Sequence, residues 1–285
     1  MAEIWVSKPE EEVRLPEVEA EAARLQTELQ NIQSLSDESS CKLCGGHQPL
    51  TREHAPSKKA GNQSRMTRKM IDYPRSVSTR TVKWNKTIIQ AATFKALCGF
   101  CNNQTGDWYN PSYLKFARQC HAFAKPENAG KLCQLKVPVY LQRVVKQVLV
   151  FLVATSQSGL TARYPDLRSL LLGKKDSRPL IPIQTWLYLK ANPGGCYTGL
   201  TVALDLERRK GHLVAGFAFW PLGWLMTIGD VKVEGAANVS DWAELDYHYK
   251  NTPTTEIPCQ WGISPYPADF RGPDEIPSEA WSVKD

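Results

Sequence analysis

The sequence predicts an α+β protein: a small cysteine-stapled domain followed by an α+β domain with a long helix and an antiparallel β-meander. Three observations lead there. Two C-x-x-C pairs, Cys41/Cys44 and Cys98/Cys101, stand far apart in the chain. The run VPVYLQRVVKQVLVFLVATSQ at 137–157 has the length and composition of one mostly buried helix. From about 181 onward, alternating β-branched and aromatic runs are separated by glycine-containing turns, the pattern of antiparallel strands.

The chain of 285 residues is 42% apolar, enough to bury a core in one large or two ordinary domains. The longest apolar run, Val144 to Ala154, contains Lys146 and Gln147 and is too short to cross a bilayer, so no membrane partner is expected. The opening MAEIWVSKPEEE is acidic and unlike a secretory signal, which predicts a cytoplasmic protein. Eight cysteines in a chain of this size without such a signal argue against a disulfide scaffold. Cys120, Cys133, Cys196 and Cys259 are expected to be ordinary reduced thiols.

The net charge of +6 is unevenly spread. Residues 1–40 carry 3 basic and 10 acidic side chains, residues 41–136 carry 17 and 4, and residues 137–285 carry 15 of each. The excess of positive charge therefore lies on the segment that holds the cysteine pairs. Either a polyphosphate partner or a solvated basic surface accounts for that charge alone. These shifts in composition divide the chain into an acidic helix and linker (1–40), a cysteine-stapled domain (41–136) and an accessory α+β domain (137–285).

Taken in order, residues 17–33 follow Pro16, which suits a first helical turn. Val18, Ala22, Leu25, Leu29 and Ile32 recur along one face of that helix. The stripe suits packing within the chain, or a short helix for a second copy or a protein partner. SLSDESS at 34–40 is a polar linker. Residues 57–81 are polar and basic with little periodicity and are expected to be a long loop. TVKWNKTIIQAATFKAL at 81–97 contains a strand, and 111–125 reads as a helix. RYPDLRSLLLG at 163–173 is a short helix closed by Gly173. Strand-like runs then follow to about 229, with turns at 192–195 and 208–211. Trp186, Phe217, Phe219, Trp220 and Trp224 suit a sheet core, with an aromatic box for a ligand as the alternative. The proline-rich tail from about 250, with Trp261 and Trp281, is expected to lack regular structure, with packing on the sheet left open.

Each C-x-x-C places two sulfurs on a tight knuckle, and four thiolates complete a tetrahedral zinc site. The long spacer between the pairs implies an inserted element. Redox use of such a pair fits less well, because two pairs occur together. A zinc ion on Cys41, Cys44, Cys98 and Cys101 would bring the residues beside each knuckle together. Those residues are LTREHAP at 50–56 and NNQTG at 102–106. They supply a carboxylate (Glu53), an imidazole (His54) and an amide oxygen (Asn102) within the most basic part of the chain. A hard cation such as Mg²⁺ or Mn²⁺ takes oxygen ligands, and a neutral imidazole beside it can deprotonate water. That set suffices for metal-assisted phosphodiester hydrolysis.

The order C-x-x-C, L-T-x-E-H-x-P, C-x-x-C-N-N-x-x-G resembles the HNH endonucleases of the ββα-metal fold, in the subgroup stapled by a four-cysteine zinc site. The resemblance covers about 41–110. It implies that Glu53 and Asn102 hold the catalytic metal, that His54 is the general base, and that DNA is the substrate. It also implies that Pro56 turns the chain after the strand and that Gly106 ends the short motif, while Asn103 orients the loop or shares the role of Asn102. Lys58, Lys59, Arg65, Arg68, Lys69, Arg75 and Arg80 would then meet backbone phosphates, contacts that carry no sequence information. Two positions depart from the family pattern. The asparagine that orients the catalytic histidine would fall near Thr93, and the usual Gly-Gly after the histidine motif is replaced by Lys58, Lys59, Ala60 and Gly61. Without catalysis, the same features would describe a zinc-dependent nucleic-acid-binding module. HNH proteins with an added domain are similar to effector nucleases of bacterial anti-phage systems, which the resemblance implies here too. His47 and His121 are read as solvated or packing residues, with a phosphate or metal contact as the alternative.

Overall fold

The computed structural model describes residues 16–60, 65–71, 84–90, 93–136, 138–156, 158–191, 195–205 and 210–260. Helix α1 (Pro16–Ser34) starts on its proline, which has no backbone N–H to leave unpaired. Leu25, Leu29 and Ile32 are buried because α1 lies against strands β7 (Gly195–Asp205) and β8 (Lys210–Phe219) of the C-terminal sheet. These three residues of the predicted stripe are thus used within the chain.

Two antiparallel pairs occupy the middle of the chain. Strand β1 (Leu50–His54) pairs with β4 (Thr93–Cys98), from Leu50 opposite Cys98 to His54 opposite Thr93, with a bulge between Thr51 and Arg52. Strand β2 (Arg65–Ile71) pairs with β3 (Trp84–Gln90). The 57–81 segment is therefore not a loop throughout: a short 3₁₀ turn (Lys58–Ala60) and β2 lie inside it. Strand formation in β2 follows from pairing with β3, a distant contact that local composition does not report. Likewise 81–97 holds two strands, β3 and β4, instead of one.

Helix α2 (Gly99–Cys120) begins directly after β4 and is much longer than the predicted 111–125 helix. Gly106 does not end it, and Pro111 lies within it. Cys101, Thr105, Tyr109, Tyr113, Phe116, Ala117 and Cys120 are buried at three- and four-residue spacing. That continuous stripe outweighs the weak helix propensity of its glycine, asparagines and proline.

Beyond α2 come β5 (Leu132–Cys133), α3 (Leu141–Ser156), α4 (Leu160–Arg163) and α5 (Pro165–Leu172). Every residue of α3 except Arg143 and Ser156 is buried, because α2 covers one side of it and the sheet another. Strands β6 (Ile183–Lys190), β7, β8, β9 (Leu222–Ile228), β10 (Ala237–Asn238) and β11 (Ile257–Gln260) complete the fold.

The main sheet has the order β5-β11-β6-β9-β8-β7, with β10 also on β6. The predicted meander holds only for β7-β8-β9. Strand β6 lies beside β9, not β7, which is the Greek-key order. The tail is not wholly irregular either: β11 pairs in parallel with β6, and β5 pairs with β11. Residues 192–194 and 208–209 of the two expected turns, and Trp261 and Trp281, lie outside the described residues.

Trp224, Phe217 and Phe219 belong to the core, as does Trp186 on the opposite sheet face. One apolar cluster runs from Leu25 and Leu29 through Leu97 and Phe116 to Val148, Phe151 and Trp224. No helix among the described residues is long and apolar enough to cross a membrane.

Candidate metal centre and adjoining polar site

The first knuckle is shaped by its own backbone. The Cys41 N–H donates to the Gly46 carbonyl at 2.9 Å, and the Gly45 N–H donates to Cys41 at 2.8 Å. Gly45 has φ of +77°, a conformation that side chains disfavour. The Lys42 N–H donates to Ala96 of β4 at 2.8 Å, which ties this knuckle to the strand leading into the second. The second knuckle spans the β4–α2 junction, with Cys98 closing the strand and Cys101 in the first turn of α2.

The four sulfurs lie within 4.8 Å of one another, with Cys44 and Cys98 at 3.9 Å. Sulfurs on a tetrahedral zinc ion with arms of about 2.3 Å would be about 3.8 Å apart. The set of four thiols with no carboxylate is compatible with a structural zinc site. Backbone N–H groups point at the sulfurs too, Cys98 at Cys41 (3.3 Å) and Gly46 at Cys44 (3.4 Å). A hydrogen bond from the Cys101 thiol, aided by backbone N–H groups, holds the Cys41 thiol well below its ordinary range. The Cys101 thiol is driven far up by the same contact and by burial. Packed thiols cannot all ionise without a cation among them.

The accessory region grips this staple. Thr161 Oγ1 in α4 donates to the Lys42 carbonyl at 2.6 Å, and the Arg168 guanidinium in α5 donates to the Cys44 carbonyl. Neither residue carries a local sequence signal, because both lie more than a hundred positions downstream.

Beside the staple, Glu53 and Asn102 meet as the spacing predicts. Burial pushes the Glu53 carboxyl up to about 7, opposed by a hydrogen bond from Asn102. Asn102 Nδ2 also donates to Thr51 Oγ1 at 3.0 Å, and that hydroxyl donates to the Leu97 carbonyl at 3.1 Å. Thr51 thus ties the Asn102 side chain to β4, a contact that sequence reasoning missed. A buried carboxylate beside an amide suits a hard cation, which would restore its charge.

Glu53 stands opposite buried Phe94, and His54 opposite exposed Thr93. Directly opposed strand residues share a face and successive ones alternate. Glu53 therefore takes the inner side of the ribbon, whereas His54 takes the more open side at its last residue. Burial, then the nearby Lys58 ammonium, hold the His54 imidazole below its ordinary range, which favours the neutral form. The position expected to carry the histidine-orienting asparagine does sit across from His54, and it is Thr93.

Lys58 and Lys59 are exposed on the 3₁₀ turn that follows β1. Arg65, Arg68 and Lys69 lie on β2, while Arg75 and Arg80 lie outside the described residues. Asn103 is exposed on α2, and Pro56 is buried just after β1. His47 is exposed, 3.4 Å from Ser39 Oγ and 3.8 Å from Asp37. His121 packs its ring 3.9 Å from Trp220. Comparison of the chain with protein-family models, curated proteins and solved structures finds no match.

Proposed function

We propose that the chain is a metal-dependent endonuclease of the HNH type that hydrolyses DNA phosphodiester bonds. The observation that supports this best is the Glu53–Asn102 contact at a strand–helix junction closed by four cysteines, with His54 next in the chain. In this reading the cysteines hold a structural zinc ion, and β1, β4 and the start of α2 form the ββα element. Glu53 and Asn102 would hold one Mg²⁺ or Mn²⁺ ion, which when bound supplies charge stabilisation at the scissile phosphate and the leaving 3′-oxygen. Thr51 holds the Asn102 amide beside the Glu53 carboxyl, with the amide nitrogen donating to both, so that metal binding through the amide oxygen would turn the amide over. The neutral His54 imidazole takes a proton from the attacking water, in line with the leaving oxygen. Because Glu53 and His54 lie on alternate sides of β1, the phosphate must seat over the end of the strand to reach both. Lys58 and Lys59, just past that end, are suited to hold it there.

The test is incubation of supercoiled plasmid with the protein in Mg²⁺, Mn²⁺ or EDTA, beside the His54→Ala variant. Cleavage with a metal, absent in EDTA and in the variant at unchanged zinc content, is the expected result. A variant that cuts as well as the parent refutes the role of His54.

Thr93 opposite His54 favours a second reading, a zinc-dependent nucleic-acid-binding module without catalysis. Such a module would bind DNA as well without Mg²⁺ as with it and would never nick the plasmid.

A further inference from the structure

Arg143 is one of the two residues of α3 that escape burial. Its guanidinium carbon lies 3.9 Å from the ring centres of both Tyr140 and Tyr247, and its Nε donates to the Tyr247 carbonyl at 2.9 Å. The Lys250 ammonium stands 5.4 Å from the Tyr140 ring. The Lys174 ammonium stands 5.7 Å from the rings of both Trp108 and Tyr247. Tyr247 donates its hydroxyl to the Trp108 carbonyl at 3.2 Å, so the rings form one connected platform.

Lys174 and Lys250 are exposed. None of the ion pairs among the described residues uses Arg143, Lys174 or Lys250. Asp176, two positions from Lys174, pairs instead with Arg178 at 3.2 Å, and Asp246 accepts the His248 N–H at 2.6 Å while keeping its charge. Ring contacts restrain these cations without neutralising them, leaving their charge for an outside anion. The corner that carries Lys174 is fixed from beneath, where Lys146 Nζ donates to the Gly173 and Lys174 carbonyls at 2.9 and 3.2 Å.

We propose that this cluster is a second DNA-contacting surface that grips backbone phosphates of the duplex flanking the scissile bond. The proposal rests on the reading of the chain as a DNA-acting protein. A small anion would satisfy one of the three cations, whereas a polyanion with regular charges satisfies all of them. The place along the helix also suits it. Trp108 follows Asn102 on α2 by a rise of about 9 Å, a few nucleotide steps at about 3.4 Å per strand. The platform gives the 137–285 segment, neutral in total charge, a part in substrate binding that its sequence did not suggest.

The test is fluorescence anisotropy of a labelled duplex in magnesium-free buffer. It compares the parent, the Lys174→Glu/Lys250→Glu variant, and Lys210→Glu/Lys232→Glu as a charge-matched control outside the cluster. The cluster variant should weaken binding about tenfold relative to the control and reduce the slope of log affinity against log salt by about 1.8, the value for two lost phosphate contacts. A cluster variant that behaves like the control, with unchanged zinc content and circular dichroism, overturns the proposal while leaving the nuclease reading intact. A parent protein that binds no duplex and cuts no plasmid refutes the nuclease reading, and this proposal with it. Should the reversed pair fail to fold, Lys174→Gln/Lys250→Gln takes its place, with a slope change of the same size expected.

Discussion

Lys146 is fully buried in α3, with 0% of its surface exposed. Burial, partly offset by Asp176, lowers its pKa from 10.5 to about 8. At about 1.4 kcal/mol per pH unit, that drop corresponds to about 3 kcal/mol of stability. Below about 8 both folded and unfolded chains carry the charge, and the folded state bears the whole cost. Between about 8 and 10.5 the unfolded lysine keeps its proton while the folded one has lost it, so stability rises with pH. Above that window the cost is gone.

Lys146→Met removes the titrating group. The stability of the parent relative to the variant should therefore climb by about 3 kcal/mol between pH 7.5 and 10.5. The variant also loses the bonds to Gly173 and Lys174. Their loss fixes the offset between the two proteins and not the pH dependence, which is why the slope is the quantity to measure. Urea denaturation followed by tryptophan fluorescence, at four pH values in zinc-containing buffer, reads it directly. Other groups that titrate in this range and lie away from Lys146 are common to both proteins and cancel to first order. Parallel stability profiles would refute the argument, since Lys146 would then meet enough water or counter-charge to remain protonated at no cost.

Two further predictions concern the staple and α1. Cys98→Ala leaves three thiols and should lower zinc content to below about a tenth of one equivalent, with loss of cooperative melting, because structural zinc contributes roughly 10 kcal/mol or more. Atomic emission and circular dichroism check this, and retention of one zinc at native melting temperature would refute the four-cysteine assignment. Leu29→Ala opens a cavity between α1 and the sheet and should cost about 2–5 kcal/mol without altering the sedimenting mass. If the mass changes and the melting temperature does not, α1 packs between molecules instead.

Much of the candidate site was legible because its residues sit within a few positions of a recognisable spacing. The two C-x-x-C pairs predicted a cluster, and the sulfurs of Cys41, Cys44, Cys98 and Cys101 do converge. That convergence carries Glu53 to Asn102, since one closes on the first knuckle's strand and the other on the second knuckle's helix. Thr51, Thr161 and Arg168 were not legible. The first depends on a bulged register, and the others on how α4 and α5 fold back over a knuckle far away in sequence.

The sequence by itself determined the α+β composition, the buried helix α3 and the four-cysteine cluster. Each is set by local periodicity or by ligand chemistry that only certain residue types supply. Tertiary structure decided the rest. It joined β2 to β3 across a polar segment and ran α2 through Gly106 and Pro111 along one buried stripe. It also put β6 beside β9 and drew Arg143, Lys174 and Lys250 onto shared rings. Those outcomes depend on the burial of faces that distant segments supply, and no window of sequence contains both partners.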